Sequence, residues 1–137
     1  MTFVLDASTT AAWCFPDESD PAADEAFNRL DRENAAVPAL WWVEIRNILV
    51  VGERRGRIDA AESARFLSDL DQLPIHLDRE PAGDLVMALA RKHALSVYDA
   101  VYLELASRLA SPIATLDRTL ATAARASGVP VIGEGSG

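Results

Sequence analysis

Residues 3–9 read Phe-Val-Leu-Asp-Ala-Ser-Thr (FVLDAST). Three apolar residues run directly into Asp6, and Ser8 follows two positions later. An apolar run this short, followed at once by a polar turn, is the signature of a buried strand of a parallel sheet, not of a half-solvated hairpin strand. Similar runs recur downstream: strands are expected at Thr2–Leu5, Ala35–Val37, Ile75–Leu77, Ile113–Leu116 and Val129–Ile132. None alternates polar and apolar residues across a hairpin turn. The stretches between them read as helices, over Ser8–Phe15, Pro21–Arg32, Ala39–Arg55, Asp59–Leu70, Ala82–His93, Val97–Leu109 and Asp117–Ala126. Pro38 and Gly56 bracket the third helix and Asp59 is a good N-cap for the fourth. Apolar strands alternating with helices predict a three-layer α/β/α sandwich around a central, mainly parallel sheet.

That architecture gives Asp6 a meaning. Ligands of open parallel sheets bind outside the carboxyl ends of the strands. Asp6 ends the first strand, and Asp117 ends the strand Ile113–Leu116, so both carboxylates are expected on one edge. Two more acids sit where apolar residues belong. Glu44 in ALWWVEIRNILVVGERR lies on a helical stripe with Leu40, Ile48 and Val51, with Asn47 beside it as a hydrogen-bond partner. Asp99 in SVYDAVYLELASRLA shares a face with Tyr102, Leu103 and Ala106. Glu104, on the opposite face with Arg108 at i+4, reads as a surface acid. Each of the four acids alone has a structural reading, as a helix cap or an arginine partner. Together they would raise one another's pKa values, a conflict that a divalent cation removes. All-oxygen ligation without cysteine or histidine suits Mg²⁺ or Mn²⁺. Without the ion, the fold is expected to be strained.

Composition bounds the alternatives. The chain has 137 residues, half of them hydrophobic and a quarter charged. That suits a single domain over 1–132, with 133–137 expected to be a flexible tail; such a chain buries roughly 68–70% of its unfolded surface without staples. Cys14 is the only cysteine, so no internal disulfide forms, and it reads as a small hydrophobe between Trp13 and Phe15. No run approaches a membrane span and no signal peptide is recognisable, so a cytoplasmic protein is expected. The net charge of −8 opposes a plain electrostatic grip on nucleic acid. Lys92 is the only lysine among 13 basic residues. His76 reads as a packing residue of a strand, and His93 as a helix C-terminal residue.

The motifs VLDAST, WCFPDE, VPALWWVEIRNIL, LSVYDAVYLELA and IATLDRTLATAARASGVPVI, in this order, resemble the PIN-domain family, and within it the VapC-type toxins. The resemblance spans nearly the whole chain. It implies a metal-dependent endoribonuclease from a toxin–antitoxin pair, with RNA as substrate, a small antitoxin as partner and a homodimeric assembly. The family's acidic quartet falls on Asp6, Glu44, Asp99 and Asp117, and its hydroxyl on Ser8. Asp6, Asp99 and Asp117 would hold a first ion and Glu44 with Asp6 a second, while Ser8, Asn47 and Thr115 orient them. Among Arg54, Arg55, Arg57, Arg91, Lys92 and Arg118, the last is favoured for RNA phosphate because it adjoins Asp117; most of the others read as solvated helix ends. A catalytically weak binding module of the same family is the alternative. A haloacid-dehalogenase-like phosphatase would need a second aspartate where Ser8 stands, and a receiver domain a strand-end lysine that is missing. Trp41 and Trp42 cannot both face the sheet, so Trp42 either forms a partner surface or packs under the Pro21–Arg32 helix.

Overall fold

The computed structural model describes residues 1–133. The order of elements is β1 (Thr2–Leu5), α1 (Ala7–Cys14), a 3₁₀ turn (Pro16–Glu18), α2 (Pro21–Arg29), β2 (Asn34–Pro38), α3 (Ala39–Arg54), α4 (Ala60–Asp71), β3 (Ile75–Asp78), α5 (Gly83–His93), α6 (Val97–Arg108), β4 (Ile113–Ala114) and α7 (Arg118–Ala126). All strand pairs are parallel, in the order β3-β2-β1-β4. Helices flank the sheet as the alternating pattern requires, because a parallel pair needs a crossover and both faces of the sheet must be buried.

The apolar runs of β1, β2 and β4 become the core, whereas on the edge strand β3 Ile75 is half-buried and Leu77 exposed. Phe3, Val4, Leu5, Val37 and Ile113 of the strands are fully buried, joined by Ile45 of α3, Leu103 and Leu105 of α6 and Leu120 of α7. Local chemistry sets the helix ends. Asp59 and Glu62 form a reciprocal capping box at α4. Gly56, at φ +71°, turns the chain after α3. The tail expected to be flexible over 133–137 lies, from residue 134 on, outside the described residues.

Several sequence expectations are corrected. The strand expected over Ile113–Leu116 stops at Ala114, because Thr115 and Leu116 turn to serve the site described below. The fifth strand expected over Val129–Ile132 reduces to a single parallel bridge between Ile113 and Val131. Helix α2 ends at Arg29, three residues early, where the amides of Leu30, Asp31 and Arg32 make shorter turn hydrogen bonds to Phe27, Asn28 and Arg29. His76 is exposed on β3, which pairs with β2 alone, and is not a packing residue. Trp41 is buried, whereas Trp42 is 49% exposed; it does not pack under α2 but lies beneath the Arg46 guanidinium, 3.7 Å from the ring centroid.

Glu104 is the largest correction. It is fully buried, not a surface acid. Helix α6 packs on α5, α7 and the strands β1 and β2, so between Ala100 and Ala106 it has no exposed residue. Glu104 is compensated in place: Arg108 donates to both carboxylate oxygens at 2.9 and 3.1 Å, and the amide of Ala82 donates at 3.3 Å. Arg108 reaches on to Asp78 at 2.6 Å, tying α6 to the end of β3.

Candidate active site

Strand pairing brings the first elements of the site together. Leu5 is in register with Ala114, and the amide of Asp6 donates to the Ala114 carbonyl at 3.1 Å. Asp6 and the β4–α7 turn are therefore neighbours by backbone geometry alone. The Thr115 hydroxyl donates to Asp6 Oδ2 at 2.5 Å, and the Ser8 hydroxyl and Thr9 amide donate to Oδ1 at 2.7 and 3.0 Å. The same two hydroxyls accept from the other side: the Leu116 amide donates to Ser8 Oγ and the Asp117 amide to Thr115 Oγ1, each at 3.0 Å. Ser8 and Thr115 thus lock the carboxylate of β1 to the backbone after β4. Asp6 also caps α1, and Asp117 caps α7 through the Leu120 amide at 3.0 Å.

Asp99 and Glu44 come from helices. Asp99 lies in the first turn of α6, capped by Ser96, whose hydroxyl accepts from the Asp99 amide at 3.1 Å. Its carboxylate has no hydrogen bond among the described residues. Glu44 projects from α3 and accepts a hydrogen bond from the Tyr102 hydroxyl at 2.5 Å. Asn47, expected to supply that bond, is exposed and makes none among the described residues. A second tie was also invisible in the one-dimensional pattern: Trp41 Nε1 donates to Thr10 Oγ1, which donates to the Asp6 carbonyl, both at 2.9 Å. The signal for both ties was the aromatic residue type, since a buried tyrosine or tryptophan must find a partner for its polar atom.

The electrostatics record the convergence. Burial pushes the Asp6 carboxyl above its ordinary range, against the lowering effect of the bonds from Thr115, Thr9 and Ser8. Asp99 is raised to about 6, first by burial and then by the charges of Asp117 and Asp6. Glu44 is raised by burial and by the charges of Asp6 and Asp99, opposed by the Tyr102 hydroxyl. Three acids with raised pKa values, in mutual electrostatic reach and in reach of a fourth, form a cluster of excess negative charge.

Whether these residues suit a divalent ion is a question of donor chemistry. Every nearby donor is a hard oxygen. The Asp99 carboxylate, Asp117 Oδ2 and Glu44 Oε2 are free of hydrogen bonds among the described residues, leaving lone pairs for an ion. Among the described residues no three acidic, histidine or cysteine side chains already close on one point. As hard oxygens, the donors fit Mg²⁺ or Mn²⁺ in chemistry. Of the basic residues, Arg118 is exposed at the start of α7, with no ion pair among the described residues. Arg57 is engaged elsewhere, with Asp17 and Glu18, both at 2.8 Å. Arg54, Arg55, Arg91 and Lys92 are exposed helix-end residues, and His93 shares a hydrogen bond with Ser127 at 3.1 Å.

Comparison with known proteins gives this edge of the sheet its context. Ribonuclease VapC3 of Pyrobaculum aerophilum is 34% identical over 125 residues, covering 88% of this chain and 93% of that protein. A crystal structure of a P. aerophilum protein superposes with a TM-score of 0.73 at 25% identity, over 96% of this chain and 89% of the other. A toxin–antitoxin complex from Klebsiella pneumoniae shares the fold, with a TM-score of 0.64 at 16% identity over 95% of each chain. The PIN domain model matches residues 3–126, a span that begins in β1 and ends in α7 and so takes in all four acids. The chain belongs to the PIN domain family.

Proposed function

We propose that the protein is a divalent-metal-dependent endoribonuclease and the toxin of a toxin–antitoxin pair. The observation that carries this reading is the gathering of acids at the carboxyl edge of β1 and β4, where Ser8 and Thr115 tie Asp6 to the backbone of Asp117 and Tyr102 holds Glu44 on the face of α6 that carries Asp99. The similarity to a protein named a ribonuclease supports the substrate class. In this reading Asp6, Asp99 and Asp117 hold one Mg²⁺ or Mn²⁺, and Glu44 with Asp6 contributes to a second. A bound ion would neutralise the carboxylates, polarise a phosphoryl oxygen and acidify a water molecule.

The protein's own part is positioning. Thr115, Ser8 and the Thr9 amide fix both oxygens of Asp6, so its free lone pairs point in set directions. Asp99 must be deprotonated to act as a ligand, which its raised pKa opposes below about pH 6. Arg118 stands beside Asp117 to hold a substrate phosphate. Hydrolysis joins the water oxygen to phosphorus and releases the 3′-oxygen, leaving 5′-phosphate and 3′-hydroxyl ends. The 2′-hydroxyl takes no part.

The same reading makes a small antitoxin and a second copy of the chain the protein's partners, and the cytoplasm its place of action. No described helix is long and apolar enough to cross a membrane. The outer face of α3 exposes Trp42, Val43 and Val50, and a cavity of about 140 Å³ opens beside Trp42, Leu67 and Leu77. Such an apolar surface supports a protein partner.

The deciding experiment incubates purified protein with tRNA and rRNA fragments, with Mn²⁺ or with excess EDTA. Cleavage is expected only with metal, and Asp6→Asn and Asp99→Asn are expected to abolish it. Full cleavage in EDTA, or by Asp99→Asn, overturns the reading.

A further inference from the structure

The position of Glu44 poses a physical problem. A glutamate has three rotatable side-chain bonds, and this one is only partly buried at the rim of a charged cluster. Repulsion from Asp6 and Asp99 acts to swing it outward into solvent. It nevertheless turns inward, and its one hydrogen bond among the described residues is from Tyr102, at 2.5 Å. That distance lies in the range of charge-assisted O–H···O⁻ bonds, the strong class.

Tyr102 is built to hold that bond. It is 2% exposed, so its ring is fixed by packing. Its hydroxyl donates to Glu44 across 58 positions of sequence. Tyr102 also follows Asp99 by three residues on α6, which places both on one face of the helix. One rigid element therefore carries Asp99 and the hydroxyl that grips Glu44. The bond uses one oxygen of Glu44 and leaves the other free of hydrogen bonds among the described residues.

We infer that Tyr102 is the positioning residue for Glu44: its buried hydroxyl holds one carboxylate oxygen so that the other faces Asp6 and Asp99 as a metal ligand, and α6 thereby sets two of the four acids at once. The inference rests on the metal-site reading above and adds a residue to it. Tyr102 touches neither ion nor substrate; it acts through Glu44. A purely structural tyrosine would support packing without affecting the affinity of the site.

Direct Mn²⁺ binding by calorimetry, with no RNA present, separates the two roles. Tyr102→Phe keeps the ring and removes the hydroxyl. It is expected to weaken Mn²⁺ binding about tenfold, the usual cost of losing a group that orients a ligand, and to keep its melting temperature in EDTA close to wild type. In a Glu44→Gln background the same change should alter affinity by less than about twofold, because there is no longer a carboxylate to position. Unchanged Mn²⁺ affinity in Tyr102→Phe overturns the inference and leaves the metal site standing. An equal loss in both backgrounds also overturns it, since Tyr102 would then act by another route. If wild type takes up no Mn²⁺, the metal-site reading falls and the inference falls with it. Should Tyr102→Phe fold poorly, Glu44→Asp retains the charge and the buried ring but withdraws the carboxylate from the hydroxyl. Wild-type affinity there overturns the inference.

Discussion

Asp6 and Asp99 are both carboxylates in a crowded site, but the structure treats them differently. Asp6 accepts three hydrogen bonds, from Ser8, Thr9 and Thr115, and caps a helix. Asp99 accepts none among the described residues and faces the charges of Asp117 and Asp6. Neutralising them should therefore have different consequences. In EDTA, Asp99→Asn is expected to melt about 3–5 °C above wild type, from roughly 1 kcal/mol of relieved repulsion and desolvation after solvent screening. Asp6→Asn is expected to melt at or below wild type, because an amide cannot accept all three bonds and a lost cap or bond costs about 0.5–2 kcal/mol. Differential scanning calorimetry of both variants checks the order; Asp99→Asn melting below wild type would contradict it. The pH dependence follows with a definite sign. The folded pKa of Asp99 is raised from 3.8 to about 6, so between those values the native state binds more protons than the unfolded chain. The contribution of Asp99 to metal-free stability should rise as pH falls from about 6 to 4, and Asp99→Asn should remove that contribution. Mn²⁺ affinity should run the opposite way and weaken as pH falls through about 6, which titrations at several pH values will read.

At the scale of the element, α6 shows how much the sequence pattern conveyed and where it stopped. The helix itself, its start at Val97 and the inward face of Asp99 and Tyr102 were legible, because buried faces impose a period on residue type. The burial of Glu104 was not. A helical wheel places Glu104 opposite Asp99 and assumes that one side of the helix is wet. Here both sides are covered from Ala100 to Ala106, and only the three-dimensional packing reveals it. Strand ends failed for a related reason: Thr115 looks like strand sequence, but its hydroxyl is spent on Asp6 and the Asp117 amide. The four acids could be picked out as residues out of place, whereas Tyr102 was hidden because an aromatic on an inward face looks like ordinary core. Glu104 also yields a prediction opposite in sign to that for Asp99, five positions away on the same helix. Glu104→Gln leaves Arg108 with a weaker partner and should destabilise the protein by about 1–3 kcal/mol. Cleavage at temperatures where it remains folded should be unaffected, and chemical denaturation alongside an RNA cleavage assay tests both halves.

For the whole molecule, the main quantity is charge. The chain carries −8, part of it concentrated in the acidic cluster, and up to two divalent ions would offset up to four of those charges. Ion binding to the native cluster and not to the unfolded chain should stabilise the protein by roughly 2.7 kcal/mol at a hundredfold excess over the dissociation constant. Melting temperature should climb with Mn²⁺ concentration in wild type and much less in Asp99→Asn, as thermal scans across a Mn²⁺ series will show. The exposed face of α3 predicts self-association or a bound partner, and light scattering at micromolar concentration should report more than the monomer mass.

The placement of β1 has one further consequence. β1 is an inner strand, flanked by β2 and β4, and Asp6, just after it, takes its hydroxyl partner Thr115 from 109 positions away. Contacts so distant along the chain close late and at an entropic cost. Until β4 is made, one flank of β1 is therefore expected to stay open and Asp117 to stay apart from Asp6. Ribosome-bound chains truncated before Ile113 are expected to cleave no RNA, and cleavage by such chains would contradict this order of assembly.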